Sequence, residues 1–249
     1  MIERVTTGIQ GLDDLIEGGF PKGRTILVSG ACGTGKSILS MQFLYHGALE
    51  KNEPGVFVTF DESPENIRSD MLRFGWNLAE LEKHQLFALV DGASARAGTA
   101  SPEQNALNPG DLDINRVLME VLTIARRIGA KRIVIDSIPA LAFQMKGEDE
   151  IRKSILRLSQ VLSRSGMTSV ITTEIPEQSN IGGQISFSKY GVEEYIADGV
   201  ILLNFLGFGS QSSRTFSIRK LRGTKHSLET HPMKISENGI LIQKIDLLK

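Results

Sequence analysis

The chain has 249 residues, 41% hydrophobic and 23% charged, enough to bury the core of one large α/β domain or of two small ones. A formal charge of −1 and a pI near 6.5 argue against a dedicated duplex binder, whose basic face would move both figures, although a local basic channel remains compatible with them. No apolar run approaches membrane-spanning length, Met1-Ile2-Glu3-Arg4 lacks the charged-then-apolar order of a secretory signal, and the single Cys32 permits no internal disulfide, so a cytoplasmic protein with no membrane partner is expected.

Along the chain, short apolar runs alternate with longer stretches of helical period, the mark of βαβ units and a mainly parallel sheet. Thr25 to Gly30 (TILVSG) reads as the first strand and Lys36 to Glu50 as the helix leaving it. Val56 to Phe60 is a second strand, followed by Ser63-Pro64-Glu65, which has the order of an N-cap, a proline at the first helical position and an acid in the first turn. Leu86 to Val90 is a third strand. Between Asp113 and Ile128 the apolar residues Ile114, Val117, Leu118, Val121, Leu122, Ala125 and Ile128 form an i, i+3, i+4, i+7 stripe.

Arg132 to Asp136 (RIVID) is a buried strand ending in an acid, and Ile151, Ile155, Leu158 and Leu162 mark the next helix. Thr168 to Thr173, Gly199 to Phe205, Arg214 to Leu221 and Met233 to Gln243 are further strands. The last three have no helical stretch between them, which predicts antiparallel hairpins, with Glu237-Asn238-Gly239 turning the final one. Two long loops, Gly92 to Gly110 and Pro176 to Gly191 with its Gly182-Gly183 pair, have no period; no linker or repeat divides the chain, so one domain over residues 1–249 is expected.

Gly30-Ala31-Cys32-Gly33-Thr34-Gly35-Lys36-Ser37 matches G-x-x-x-x-G-K-[ST] in full, between a strand and a helix as the motif requires. A chance match in a chain this long is expected on the order of once in a hundred. Glycines let the backbone curl with its N–H groups turned inward, the helix directs its positive end at the same point, Lys36 neutralises phosphate oxygens, and the Ser37 hydroxyl suits Mg²⁺. Gly30, Cys32, Gly33, Thr34, Gly35, Lys36, Ser37 and Ile38 are therefore the nucleotide-binding candidates, with ATP and Mg²⁺ as cofactors.

Asp136 follows Ile133-Val134-Ile135 at the carboxyl end of a strand, where open α/β sheets place ligands, and is the second metal candidate beside Ser37. Asp61-Glu62 follows the second strand. Either carboxylate can orient the attacking water, and strand alternation predicts that only one of them faces the nucleotide; the other reading is two solvated loop acids. Neither the phosphate loop nor these acids names a biological process.

Several further motifs resemble a known family. Gly8-Ile9-Gln10-Gly11-Leu12-Asp13, Gly18-Gly19-Phe20-Pro21, Phe57 to Pro64, Phe74-Gly75-Trp76, Lys189 to Tyr195 and Lys220-Leu221-Arg222-Gly223-Thr224 are similar, in this order, to the single-domain relatives of KaiC, the circadian clock ATPase of the RecA-like P-loop superfamily. The resemblance covers nearly the whole chain. It implies a RecA-like core with a mainly parallel central sheet flanked by helices and antiparallel strands at the C-terminal end. It also implies a homo-oligomeric ring, commonly a hexamer, hydrolysing ATP at subunit interfaces. Lys220 and Arg222 would reach the γ-phosphate held by the neighbouring subunit, with Leu221, Thr224 and His226 near its nucleotide. Two apart, Lys220 and Arg222 fall on one strand face, as such a role needs; a charged, solvated edge strand is the other reading.

This chain also departs from the pattern. The family usually carries two glutamates where Asp61-Glu62 stands, so its water-orienting acid is here one methylene shorter; slow hydrolysis, or Glu62 in its place, follows. Where the clock protein's phosphorylated half has Ser-Thr, this chain has Glu194-Tyr195, and autophosphorylation there is not expected. Cys32 could block ATP when oxidised, or simply be small and tolerated. His46, His84, His226 and His231 lack metal spacing, and Trp76 reads as packing. Lys189, Phe187 and Tyr190 give only thin support to the alternative of a recombinase-like ATPase binding single-stranded DNA. An unidentified regulatory protein is the other possible partner.

Overall fold

The computed structural model describes residues 2–109, 113–145, 147–175, 186–205 and 214–244, the Gln144 side chain apart. A two-stranded antiparallel pair, β1 (Arg4–Val5) with β2 (Phe20–Pro21), precedes the main sheet. Then come β3 (Thr25–Gly30), α1 (Lys36–Lys51), β4 (Gly55–Thr59), α2 (Pro64–Leu72), α3 (Leu78–Lys83), β5 (Phe87–Asp91), α4 (Ala93–Arg96) and α5 (Ile114–Ile128). They are followed by β6 (Arg132–Asp136), α6 (Ile138–Leu141), α7 (Glu148–Ser165), β7 (Thr168–Thr173), α8 (Glu193–Ile196), β8 (Gly199–Phe205), β9 (Arg214–Leu221), β10 (Thr230–Ser236) and β11 (Gly239–Ile242).

Among the described residues, nine strands form one sheet in the order β11-β10-β9-β8-β3-β7-β6-β4-β5. The six strands from β8 to β5 are parallel, and β8 to β11 run antiparallel to their successors, as the apolar runs without intervening helices predicted. The two-residue turn Glu237-Asn238 joins β10 to β11, whose Ser236 and Gly239 pair across it. Thr25–Gly30, Arg132–Asp136, Thr168–Thr173, Gly199–Phe205 and Arg214–Leu221 have the expected bounds; the second strand is Gly55–Thr59 and ends before Phe60, the third is Phe87–Asp91, and the last run starts at Thr230 and turns at Glu237-Asn238 as expected.

Alternation along the buried strands divides the core. Ile26, Val28, Phe57, Leu89, Val134 and Val170 face α1, α2 and α3, while Leu27, Val58, Val90, Ile133, Ile135 and Ile171 face α5 and α7. A parallel sheet buried on both faces must read as a continuous apolar run, as these strands do. The α5 stripe seats Val117, Leu118, Val121 and Ile124, all under 10% exposed, each contributing about 1.5–3 kcal/mol by burial.

Helix ends follow local chemistry. Ser63 accepts from the Asn66 N–H ahead of Pro64, Asn77 caps α3 through the Glu80 N–H, and Asp113 caps α5 through the Arg116 N–H. The loop from Gly92 is less irregular than expected: it opens with α4, and Asp91 and Ala106 form a parallel bridge. Residues 110 and 176–185, including Gly182-Gly183, lie outside the described residues. No helix among those described is long and apolar enough to cross a membrane.

Candidate functional site

β3 delivers the chain to Gly30 at the carboxyl end of the sheet, between β8 and β7. At Gly30 a Cβ would lie 2.5 Å from the Leu203 carbonyl oxygen and 2.7 Å from Thr34 Oγ1, so no side chain fits where the loop leaves the strand. Gly33 and Gly35 have φ of 75° and 102°, the left-handed region that curls the loop into α1. Thr34 is buried and its hydroxyl donates to the Ala31 carbonyl at 2.9 Å. Cys32 and Ser37 are exposed, and Ile38 packs against the core.

Lys36 Nζ folds back over the loop, donating to the carbonyls of Gly30 at 2.9 Å and Ala31 at 3.0 Å. Burial pulls its pKa below the ordinary lysine value, against the opposing pull of the nearby Glu174, Asp136 and Asp61 carboxylates. With the first N–H groups of α1 lacking helical partners, the loop presents amide donors and one ammonium to the same point.

Asp136 ends β6, two strands from β3 with β7 between. Thr172 of β7 donates to Asp136 Oδ1, and the Ser37 hydroxyl hydrogen-bonds the same carboxyl group. Burial pushes the Asp136 carboxyl up, with these two hydroxyls and Lys36 acting in the opposite direction. A hydroxyl and a carboxylate in contact suit a hard, oxygen-seeking cation that keeps waters and phosphate oxygens as its other ligands. Among the described residues no group of three or more His, Cys, Asp or Glu side chains forms a separate metal site.

The acids after β4 lie beyond the strand, so strand alternation does not decide between them as expected. Nor is β4 next to β3, because β7 and β6 intervene. The β4–β6 register pairs Thr59 with Asp136, and the Phe60 N–H donates to the Asp136 carbonyl at 2.8 Å, which sets the following loop beside Asp136. Asp61 Oδ2 accepts from Ser137 Oγ at 2.8 Å, while its Oδ1 lies 3.6 Å from Arg96 Nη1. The Glu62 backbone is pinned instead: its N–H donates to Thr59 Oγ1, and its carbonyl accepts from that hydroxyl. Burial, then the charges of Asp70, Asp136 and Asp61, push the Glu62 carboxyl up.

Lys220, Leu221, Arg222, Thr224 and His226 are not brought to this point. Leu221 pairs with Gly199 at the start of β8, which pairs with Ile26 near the start of β3. At about 3.3 Å per residue, Lys220, level with Leu27, is about 10 Å from Gly30 along the strands, and Arg222, level with Thr25, about 17 Å. Arg222 lies just past β9, its Nη1 3.7 Å from Asp198 Oδ1, beside a cleft of about 630 Å³ that Arg24, Lys153, Arg157 and the exposed Tyr195 also line. Lys220 Nζ donates to the Glu194 carbonyl at 2.9 Å, and burial followed by the charge of Arg222 lowers its pKa. Arg4 ties Thr224 to the amino-terminal pair, donating to the Thr224 hydroxyl and to the Gly223 carbonyl. His226 Nδ1 lies 2.9 Å from the Ser227 carbonyl oxygen.

With this geometry in place, comparison with known proteins is decisive. The family described as "ATPase: KaiC" matches residues 5–246. The chain belongs to the KaiC ATPase family. A UPF0273 protein of Aeropyrum pernix is 38% identical over 97% of this chain and 94% of its own length. The circadian clock oscillator protein KaiC of Synechococcus elongatus is 37% identical over 97% of this chain, which spans 44% of that protein. The crystal structure of a KaiC-like protein from Pyrococcus horikoshii superposes with a TM-score of 0.83 at 38% identity, covering 98% of this chain and all of that one. The α/β fold expected from the motifs, with its parallel centre and antiparallel C-terminal strands, is that of this relative.

Tertiary structure also brings this KaiC-family chain's phosphate loop residues that linear patterns did not expose. Arg214, at the start of β9, extends Nη2 to 3.4 Å from the Gly33 carbonyl oxygen and lies 4.3 Å over the Phe205 ring. Its buried Nε has no hydrogen-bond partner among the described residues. Ile235 and Ile240 of the C-terminal hairpin sit where a Cβ on Gly35 would meet them at 3.2 and 3.4 Å. Glu174 follows β7 directly, and an acid after an apolar strand was its only sequence signal. Phe187 is committed to the fold: the Ser29 hydroxyl donates to its carbonyl and Arg219 lies 5.1 Å over its ring. His46 pairs with Glu50 and lies edge-on to Trp76, and Trp76 is buried, a packing residue as expected.

Proposed function

We propose that this KaiC-family chain works as one domain of a homo-oligomeric ring, in the cytoplasm, and hydrolyses ATP at the contacts between subunits. Gly30, Cys32, Gly33, Thr34, Gly35 and Ile38 would form the cradle, and Lys36 would meet the β- and γ-phosphates. Ser37 and Asp136 would hold Mg²⁺, which when bound neutralises phosphate charge. A water oxygen bonds to the γ-phosphorus as the bond to the β–γ bridging oxygen breaks; ADP departs, and the water's proton passes by way of Asp61 or Glu62.

The observation that carries the reading is the separation of two halves of one chemistry. The phosphate cradle and its acids stand at the carboxyl end of the sheet, and the two-cation segment Lys220-Leu221-Arg222 stands toward the amino end, from Lys220 level with Leu27 to Arg222 level with Thr25, about 10 to 17 Å away along the strands. From there Arg222 can serve a phosphate only on another copy, where a cation supplied from outside stabilises charge on the transferring phosphoryl group. Leu221, Thr224 and His226 would line the same contact. A ring of this kind leaves surface for a regulatory protein.

The test combines calorimetric titration of Mg·ATP, light scattering with and without ATP, and phosphate release with and without single-stranded DNA. The expected result is binding lost in Lys36→Ala, an ATP-dependent rise in mass, and hydrolysis indifferent to DNA. Wild-type protein that gives no heat with Mg·ATP would overturn the proposal, and hydrolysis switched on only by DNA would favour the recombinase-like reading.

A further inference from the structure

We propose that Arg96 is a positioning residue for Asp61, which stands where the family carries its water-orienting acid. The inference rests on the proposed ATPase reading and deepens it by naming the group that holds that carboxylate.

Asp61 is held from two sides. Ser137 Oγ donates to Oδ2 at 2.8 Å, and the Arg96 guanidinium faces Oδ1 at 3.6 Å. Together they leave the plane of the carboxylate with little freedom, while its side chain remains 55% exposed and open to a water. Glu62 has no such fixation among the described residues; the contacts recorded for it are those of its backbone with Thr59. A carboxylate that must accept a hydrogen bond from water at one defined angle gains from being fixed before the substrate arrives.

Arg96 is itself held in place. It ends α4, and its N–H donates to the Gly92 carbonyl at 2.9 Å. Gly92 in turn donates to the Thr59 carbonyl at 2.8 Å, which ties α4 to the end of β4, the strand that leads into Asp61. Asp91 caps the same turn, accepting from the Ser94 N–H at 3.0 Å and from Ser101 Oγ. The guanidinium lies 5.8 Å over the ring of Phe143, a side chain 76% exposed just past α6, and so next to the helix that begins beside Ser137. The two groups that grip Asp61 thus come from opposite sides of it, one through β5 and α4 and the other through β6. Because Asp is a methylene shorter than Glu, its carboxylate is reached only by partners built this close to the strand ends.

The test measures turnover and ATP affinity separately for Arg96→Gln, Arg96→Lys, Asp61→Asn and the double variant Arg96→Gln/Asp61→Asn. Affinity is read by calorimetry with a non-hydrolysable ATP analogue and Mg²⁺. Arg96→Gln is expected to lower kcat by about tenfold or more, a fraction of the 10²–10⁴ that a positioned base supplies, while the analogue's Kd stays within about twofold. Arg96→Lys should recover part of kcat, since an ammonium keeps the charge but loses the planar fork. In the Asp61→Asn background, Arg96→Gln should change kcat no further, because residues acting as one unit do not add. Normal turnover in Arg96→Gln overturns the inference, as does an equal fall in the Asp61→Asn background. Wild-type protein that binds no nucleotide, or binds without hydrolysing, is a different outcome: it overturns the ATPase reading, and this role with it.

Discussion

Arg222 offers the sharpest trial of the division between the two ends of the sheet. Its backbone N–H donates to the Asp198 carbonyl at 2.9 Å, and the Asp198 N–H donates to the Thr25 carbonyl at 2.8 Å, so it is level with the start of β3. From there to Gly30 is about 17 Å, roughly two and a half times the ~7 Å reach of an extended arginine side chain. Acting in its own subunit is therefore excluded by length. Arg222→Ala should bind Mg·ATP normally and lose about a thousandfold or more in kcat, the low end for an arginine supplied in trans. Lys36→Ala should bind none and yet still lend its Arg222.

Mixed one to one, the two inactive variants should regain activity. In a ring of heterologous contacts, half of the cradles and half of the donated arms are intact, so about a quarter of contacts carry both. Phosphate release by the mixture should approach about a quarter of the wild-type rate after subunit exchange. A mixture no more active than the sum of its parts would refute the reasoning.

Two further predictions test the cradle and its support. Because burial raises the Asp136 carboxyl above the ordinary aspartate value, a bound cation competes there with a proton; Mg·nucleotide binding should weaken as pH falls through that raised value and should release a proton there. Calorimetry in two buffers of different ionisation heat should show that release in wild type and not in Asp136→Asn, and an identical release in both would count against it. Arg132, 1% exposed, donates to the carbonyls of Thr6 at 2.9 Å and Phe43 at 2.7 Å, pairs with Glu53 and lies 4.6 Å over the Phe43 ring. Arg132→Met leaves those acceptors and Glu53 without their donor and should cost about 3–5 kcal/mol in urea unfolding; a loss under about 1 kcal/mol would show that methionine packing compensates.

The phosphate loop was legible because its chemistry is local: eight consecutive residues supply the curl, the amides, the ammonium and the hydroxyl. The strands were legible for a similar reason, since burial on both faces writes a continuous apolar run into each. Which of Asp61 and Glu62 has its carboxylate held by neighbours was not legible from the strand pattern. Strand alternation was the available rule, and β4 stops at Thr59, two residues too early for it to apply. Arg96 sat in a stretch without period, and nothing in its neighbours' sequence tells that its guanidinium comes within 3.6 Å of Asp61.

What the sequence by itself determined was the family of the chain and the loop that marks it, because both depend on short runs of residues whose spacing along the backbone is already their spacing in space. Only the tertiary structure decided strand order, which puts β7 and β6 between the cradle and the strand bearing the acid, and with it the arrival of Arg214, Glu174 and Arg96 at the site. It also decided that Arg222 stands at the opposite end of β3 from the phosphate loop of its own chain. Such juxtapositions are set by which apolar faces pack together and by crossovers of many tens of residues, and no local pattern encodes the distance between two ends of a sheet.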